Sequence, residues 1–127
     1  PGNSWLEVEG ATQIDVSTAK SLYDRGVLFI DVGSQSMRNA GHIPGAVHLP
    51  FDRTGDPSRV RLRRTTFREI AAYNDEIVIT FGYLDYLDSE VAFEAAKVVA
   101  WGYSKVYHLD GGARVWKDAG YPVETGQ

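Results

Sequence analysis

Two short apolar runs limit the fold more than any other feature of the sequence. They occupy residues 27–32 and 77–81 and consist almost entirely of β-prone residues, with Asp31 as their one charged member. A strand with one face in water alternates apolar and polar residues, whereas a continuous apolar run is typical of a strand covered on both faces. The two runs therefore predict buried strands at the centre of a parallel sheet.

The segments around these runs predict helices and short connections. A third β-prone segment lies at residues 105–109, and a brief strand is predicted at residues 46–49. Strands that alternate with helices over crossover lengths form right-handed βαβ units, so the predicted fold class is α/β, with helices on both faces of the sheet. Helices are predicted at residues 17–25, 66–73, 89–101 and 113–119, and loop-like or irregular chain at 33–45 and 52–64.

Composition limits the class of protein. The chain has 127 residues, of which 43% are hydrophobic and 24% charged, as is usual for a single globular domain. We predict one domain at residues 11–124, between an N-terminal tail or tag remnant at 1–10 and a C-terminal tail at 125–127. No apolar stretch approaches the roughly 20 residues that cross a bilayer. The net charge of −4 argues against a general nucleic-acid binder.

The sequence contains no cysteine. This absence excludes disulfides, thiolate metal sites and thiol nucleophiles together. It does not indicate a compartment, because a chain without thiols is indifferent to redox conditions.

The loop at residues 82–88 is the candidate functional site. It leaves the second apolar run and enters the N-terminus of the helix predicted at 89–101. In parallel α/β sheets, ligands bind where the carboxyl ends of strands meet helix N-termini, and the free N–H groups there favour an anion.

Several motifs, taken in order, resemble the rhodanese family over residues 11–124, nearly the whole chain. The resemblance implies a single-domain protein of the bacterial type, with a central parallel sheet of about five strands and helices on both faces. The motifs are Asp31-Val32, Gly41-His42-Ile43-Pro44-Gly45-Ala46, the strand at 77–81 with its loop and helix, Trp101-Gly102-Tyr103, Leu109-Asp110-Gly111-Gly112, Trp116 and Gly120-Tyr121-Pro122.

The sequence departs from the family at the active-site loop. Active members carry a nucleophilic cysteine directly after the strand at 77–80, and here that position is Phe81. A second cysteine that some members carry corresponds to Tyr86. Asp85, Asp88 and Glu90 repel an anion, and no basic residue lies between Gly82 and Val91. The degenerate loop consists of Phe81, Gly82, Tyr83, Leu84, Asp85, Tyr86, Leu87 and Asp88.

The resemblance therefore implies a rhodanese-like domain that has lost sulfur transfer, is not an enzyme, uses no cofactor or metal, and acts as a protein-interaction or regulatory module. The apolar side chains of the loop either form an exposed interface or fold inward and fill the vacant site.

Two alternatives stay open. Asp85 and Asp88 could act as paired carboxylates in acid–base chemistry, or bind a metal together with His42 and His48. Capping of the following helix explains the two aspartates more simply, and a hydrogen-bonding role in the turn explains His42. The other alternative is a purely structural domain of a larger protein, which could be tethered to a membrane.

A second candidate surface is rich in arginine. Residues 53–68 hold six of the thirteen basic residues, which form either a solvated face or a docking patch for an acidic partner, a phosphorylated peptide or an anionic lipid. The predicted patch comprises Arg59, Arg61, Arg63, Arg64 and Arg68.

The predicted partner is a protein of unknown identity, and a homodimer is possible. Nucleic acid is not expected, and membrane association is expected only through a tether outside this sequence. The resemblance to bacterial members suggests a soluble domain of the bacterial cytoplasm or periplasm.

Overall fold

The protein is described by a computed structural model at residues 11–52, 54–72, 76–82 and 88–126, with residues 88–90 described by their backbone only. Five strands and five helices alternate along these residues. The strands are β1 (Ala11–Ile14), β2 (Leu28–Asp31), β3 (Val47–His48), β4 (Glu76–Thr80) and β5 (Lys105–Leu109). The helices are α1 (Val16–Asp24), α2 (Gln35–Ala40), α3 (Pro57–Ile70), α4 (Asp88–Ala100) and α5 (Gly112–Asp118).

The strands form one parallel sheet in the order β1-β5-β4-β2-β3. The two apolar runs become the neighbouring strands β2 and β4 at its centre, where Ile30 pairs with Ile79. The α/β fold with a parallel sheet of five strands is confirmed.

Alternate residues of the central strands enter two separate apolar cores. Ile77 and Ile79 contact the core on the side of α3 and α4, whereas Val78 contacts the core on the side of α1 and α5. Trp116 is the largest buried side chain of the second core, and its Nε1 donates to the carbonyl of Pro122 at 2.9 Å. Helices therefore cover both faces, as the continuous apolar runs predict.

Helix α3 begins much earlier than predicted. Residues 57–64 are helical, not irregular, because Asp56 caps the N-terminus by accepting from the N–H of Ser58 at 2.8 Å, and Pro57 occupies the first turn. The apolar residues in this half do not mark a buried face, since Val60 and Leu62 are exposed. The hydrophobic pattern therefore does not reveal the helix.

The sequence pattern also predicts neither strand β1 nor helix α2. Helix α2 has only six residues and is capped by Ser34, whose hydroxyl accepts from the N–H of Met37 at 3.3 Å. Within the described ranges, no helix combines the length and apolarity needed to cross a membrane.

Candidate functional site

The candidate site lies at the carboxyl edge of the sheet, where β2 and β4 end side by side. The N–H of Val32 donates to the carbonyl of Thr80 at 2.9 Å and extends the pairing beyond both strands. Gly33 lies against the residues that follow β4, because a Cβ at Gly33 would lie 3.3 Å from the main-chain N of Gly82. This edge is where open α/β sheets bind ligands.

Phe81, at the position implied for the nucleophile, is a core residue. It is only 1% exposed and belongs to the apolar cluster that contains Ile79. Its carbonyl accepts from the N–H of Ala113 at 3.0 Å. A Cβ at Gly112 would come within 2.9 Å of the phenyl ring and 2.5 Å of the Phe81 carbonyl, so the ring fills the space between the end of β4 and the start of α5.

Gly82 passes close to the end of α2. A Cβ at this position would approach the carbonyl oxygens of Met37 and Gly41 to 2.6 and 2.9 Å, so backbone alone fits here. Asp88 begins α4. The other predicted loop residues lie outside the described residues, so whether the loop is an interface or a plug stays a prediction. These residues are Tyr83, Leu84, Asp85, Tyr86 and Leu87.

The two histidines near this edge have structural contacts. The Nδ1 of His42 lies 2.9 Å from the carbonyl of Arg38, and its main-chain N–H and C=O pair with Glu124 at 2.8 and 2.9 Å. The Nε2 of His48 lies 2.6 Å from the carbonyl of Gly33. Among the residues that the structure describes, no group of three or more histidine and carboxylate side chains could hold a metal ion.

Asp31 is a buried carboxylate beneath the site. Its Oδ1 accepts from the N–H of Gly33 at 2.9 Å, and its Oδ2 lies 3.4 Å from Nη1 of Arg38. Burial raises the pKa of Asp31 above its ordinary value, because loss of hydration outweighs the Gly33 hydrogen bond and the nearby charges of His48 and Arg38.

The raised pKa of Asp31 predicts the sign of a pH effect. The folded state binds the Asp31 proton more tightly than the unfolded state, whose pKa is near the ordinary 3.8. The stabilisation that the protonated Asp31 carboxyl contributes is therefore fully present below a pH of 3.8. It is lost as the pH rises through the pKa that Asp31 has in the folded state. The variant Asp31→Asn does not titrate, so its stability relative to the wild type should increase as the pH rises. Urea unfolding of both proteins across this range measures the difference, and a flat or opposite trend contradicts it.

A cavity of about 430 Å³ opens at the same edge, between the ends of β2 and β3 and the start of α3. No local pattern in the sequence identifies it, because its lining comes from three separate segments. The lining residues are Val32, Ser34, Pro50, Phe51, Asp52, Thr54 and Arg59.

Four of the five arginines in the predicted docking patch are exposed, and Arg63 is not. Its side chain is 8% exposed, with Nε donating to the carbonyl of Pro50 at 2.9 Å and Nη2 to that of Leu49 at 3.0 Å. This correction follows from the helical period, which turns Arg63 toward the body of the domain. The patch available to a partner comprises Arg59, Arg61, Arg64 and Arg68.

The third partner of Arg63 is Glu94, which is fully buried in α4. Nη1 of Arg63 lies 2.5 Å from Oε2 of Glu94, and Nζ of Lys97 lies 3.7 Å from Oε1. Glu94 follows Val91 by three residues and precedes Val98 by four, which places it on the apolar side of the helix. That spacing is the sequence signal that could have identified it.

The family resemblance is supported by sequence comparison. The protein-family model described as "Rhodanese-like domain" matches residues 15–119 of this chain. Thiosulfate sulfurtransferase 18 of Arabidopsis thaliana is 29% identical over 125 residues, which cover 97% of this chain and 90% of the relative. Thiosulfate sulfurtransferase GlpE of Pseudomonas savastanoi pv. phaseolicola is 30% identical over 115 residues, which cover 91% of this chain and 94% of the relative.

Solved structures show the same fold. A thiosulfate sulfurtransferase from Pseudomonas aeruginosa, 27% identical, superimposes with a TM-score of 0.66 over 91% of this chain and 20% of that chain. The Alr3790 protein from Anabaena sp., 23% identical, gives a TM-score of 0.62 over 89% and 92%. With the parallel sheet and the matched motifs, these similarities establish that the chain belongs to the rhodanese-like domain family.

Proposed function

We propose that this rhodanese-like domain performs no sulfur transfer and acts as a protein-interaction or regulatory module. The observation that carries the proposal is the buried Phe81 at the position implied for the nucleophile, in a chain without cysteine. Sulfur transfer in this family passes through a persulfide on a thiolate, and phenylalanine has no atom that can accept the sulfur. The activity for which the relatives are named therefore does not extend to this chain by similarity alone.

The first test is a thiosulfate-to-cyanide sulfur transfer assay, with GlpE of Pseudomonas savastanoi pv. phaseolicola as the positive control. We expect no thiocyanate above the level given by heat-denatured protein. Turnover that follows the concentration of folded protein would contradict the proposal, because it would require sulfur transfer without a thiol.

The proposed contact surface is the outward face of α3. This helix holds five arginines and one glutamate, a net charge of +4 in a chain whose total is −4. Arg63 is buried and paired with Glu94. The other four arginines of the helix are exposed, and so is Leu62, at 66%. Arginine next to exposed apolar side chains is typical of interfaces, and its planar guanidinium binds carboxylates through two hydrogen bonds. The partner that this surface fits is an acidic segment of another protein.

Charge reversal at one arginine tests this surface. We expect Arg61→Glu to weaken binding of a fluorescent decaglutamate peptide by about fivefold or more, since it replaces an attraction with a repulsion. Lys105→Glu is the matched control, because it changes the net charge equally at the start of β5, and it should alter affinity by less than about twofold. Fluorescence anisotropy measures both, and equal effects would show attraction to overall charge instead of a defined surface.

A further inference from the structure

The cavity at the ends of β2 and β3 has an apolar wall that hydrogen bonds hold in place. Val32 is buried, and its carbonyl accepts from the N–H of Phe51 at 3.1 Å. The guanidinium of Arg63 donates to the carbonyls of Leu49 and Pro50, so the segment that leads into the cavity is tied to α3. The wall is therefore formed before any partner arrives, which lowers the entropic cost of binding.

The carboxylate of Asp52 does not make this cavity a site for a cation. Its Oδ1 accepts from the N–H and the hydroxyl of Thr54 at 3.0 and 2.6 Å, and its Oδ2 is shielded from solvent. The hydrogen bonds from Thr54 hold the pKa of Asp52 below its ordinary value, and the charge of Arg59 acts in the same direction. The protein itself therefore stabilises the negative charge, and the apolar wall is the surface that remains for a ligand. An uncharged apolar side chain fits that wall better than an ion does.

The cavity is continuous with the proposed contact surface on α3. Arg59 lines the cavity and lies in the first turn of the helix. Arg61, Leu62 and Arg64 follow at exposed positions, within about 8 Å along the helix axis. A segment whose carboxylates pair with these arginines therefore has the opening of the cavity within reach of its neighbouring side chains.

We propose that the acidic partner segment inserts one large apolar side chain, a phenylalanine or a leucine, into this cavity. The inference rests on the proposed function, because it adds an anchor to the same acidic segment. The volume of about 430 Å³ is sufficient for such a side chain. Apolar and aromatic anchors that fill preformed pockets supply much of the binding energy of interfaces. The arginines attract the segment, and the cavity fixes its position along α3.

The test measures fluorescence anisotropy with two labelled decapeptides, each made of nine glutamates and one central residue, which is phenylalanine in one and alanine in the other. The two peptides carry the same charge, so a difference in affinity reports the apolar contact. We expect the phenylalanine peptide to bind about fivefold more tightly or better. Pro50→Trp places an indole on the lining and should abolish this difference. Pro122→Trp changes an exposed proline outside the lining, so it is the control and should preserve the difference.

Amide chemical shifts give a second readout that needs no variant. The phenylalanine peptide should shift the NMR signals of Val32 and Phe51, which form the wall, and the alanine peptide should leave both signals unchanged. Thermal melting of Pro50→Trp and Pro122→Trp shows that each variant is folded.

Two results would overturn the proposal. One is equal affinity of the two peptides for the unmodified protein. The other is a preference for phenylalanine that Pro50→Trp does not reduce and that leaves the signals of Val32 and Phe51 unchanged, which would place the anchor elsewhere on the surface. In both cases the alanine peptide still binds through the arginines, so the proposed contact surface stands. Absence of binding by both peptides would instead overturn that surface together with this inference.

Discussion

Replacing Phe81 with cysteine should lower the free energy of unfolding by about 2–4 kcal/mol and should not produce sulfur transfer. The phenyl ring is 1% exposed and is packed against the start of α5, so the smaller side chain leaves a cavity in the core. A thiol in these surroundings is shielded from water, which disfavours the thiolate that sulfur transfer requires. Urea unfolding and the thiosulfate assay measure the two effects.

A cysteine at Phe93 is the matched control for this substitution. Phe93 is 73% exposed on α4, so Phe93→Cys should change stability by no more than about 0.5 kcal/mol. Its thiol should react rapidly with a disulfide reagent such as dithionitrobenzoate, whereas the thiol of Phe81→Cys should react slowly until the protein unfolds. Fast reaction and measurable turnover by the Phe81→Cys variant would contradict the buried orientation and would mean that one substitution accounts for the lost activity.

The residues that the sequence identifies correctly are those whose environment is set by local pattern. The runs that form β2 and β4 predict strands buried on both sides, because a continuous run of β-prone apolar residues is typical of a strand covered on both faces. The same reasoning predicts a functional site at the carboxyl edge of the sheet, which stays a prediction. The alignment of motifs with a known family identifies the position of Phe81, although only the structure shows its ring in the core.

What the sequence conceals depends on contacts between distant segments. Arg63 and Glu94 are far apart in the chain, and the sequence of α3 by itself gives no sign that Arg63 is buried. The spacing of Glu94 from Val91 and Val98 places it on the apolar side of α4 but does not reveal its partner. The cavity is hidden for the same reason, since Ser34, Asp52 and Arg59 meet only after β2, β3 and α3 are assembled. The first half of α3 was not predicted because its stability comes from the Asp56 cap and from Arg63, and not from an apolar face.

The Arg63–Glu94 pair predicts the second large effect. Glu94→Ala should lower the free energy of unfolding by about 3–5 kcal/mol, because it leaves the Arg63 guanidinium buried without its carboxylate. The carbonyls of Leu49 and Pro50 still accept from Arg63, but they carry no net charge to balance it. Glu69→Ala is the control, since Glu69 is an exposed acidic residue on α3, and it should change stability by no more than about 0.5 kcal/mol. Urea unfolding compares the two.

The double variant Arg63→Met/Glu94→Leu separates loss of an ion pair from loss of packing. Removing both charges leaves no unpaired ion, and apolar side chains of similar volume can replace a buried pair without loss of stability. We therefore expect the double variant to be markedly more stable than Glu94→Ala, although Arg63→Met also gives up the hydrogen bonds to Leu49 and Pro50. If it is no more stable than the single variant, those hydrogen bonds hold α3 in place, and the ion pair contributes little. The exposed arginines of α3 depend on this anchor, so the outcome also decides which interaction positions the proposed contact surface.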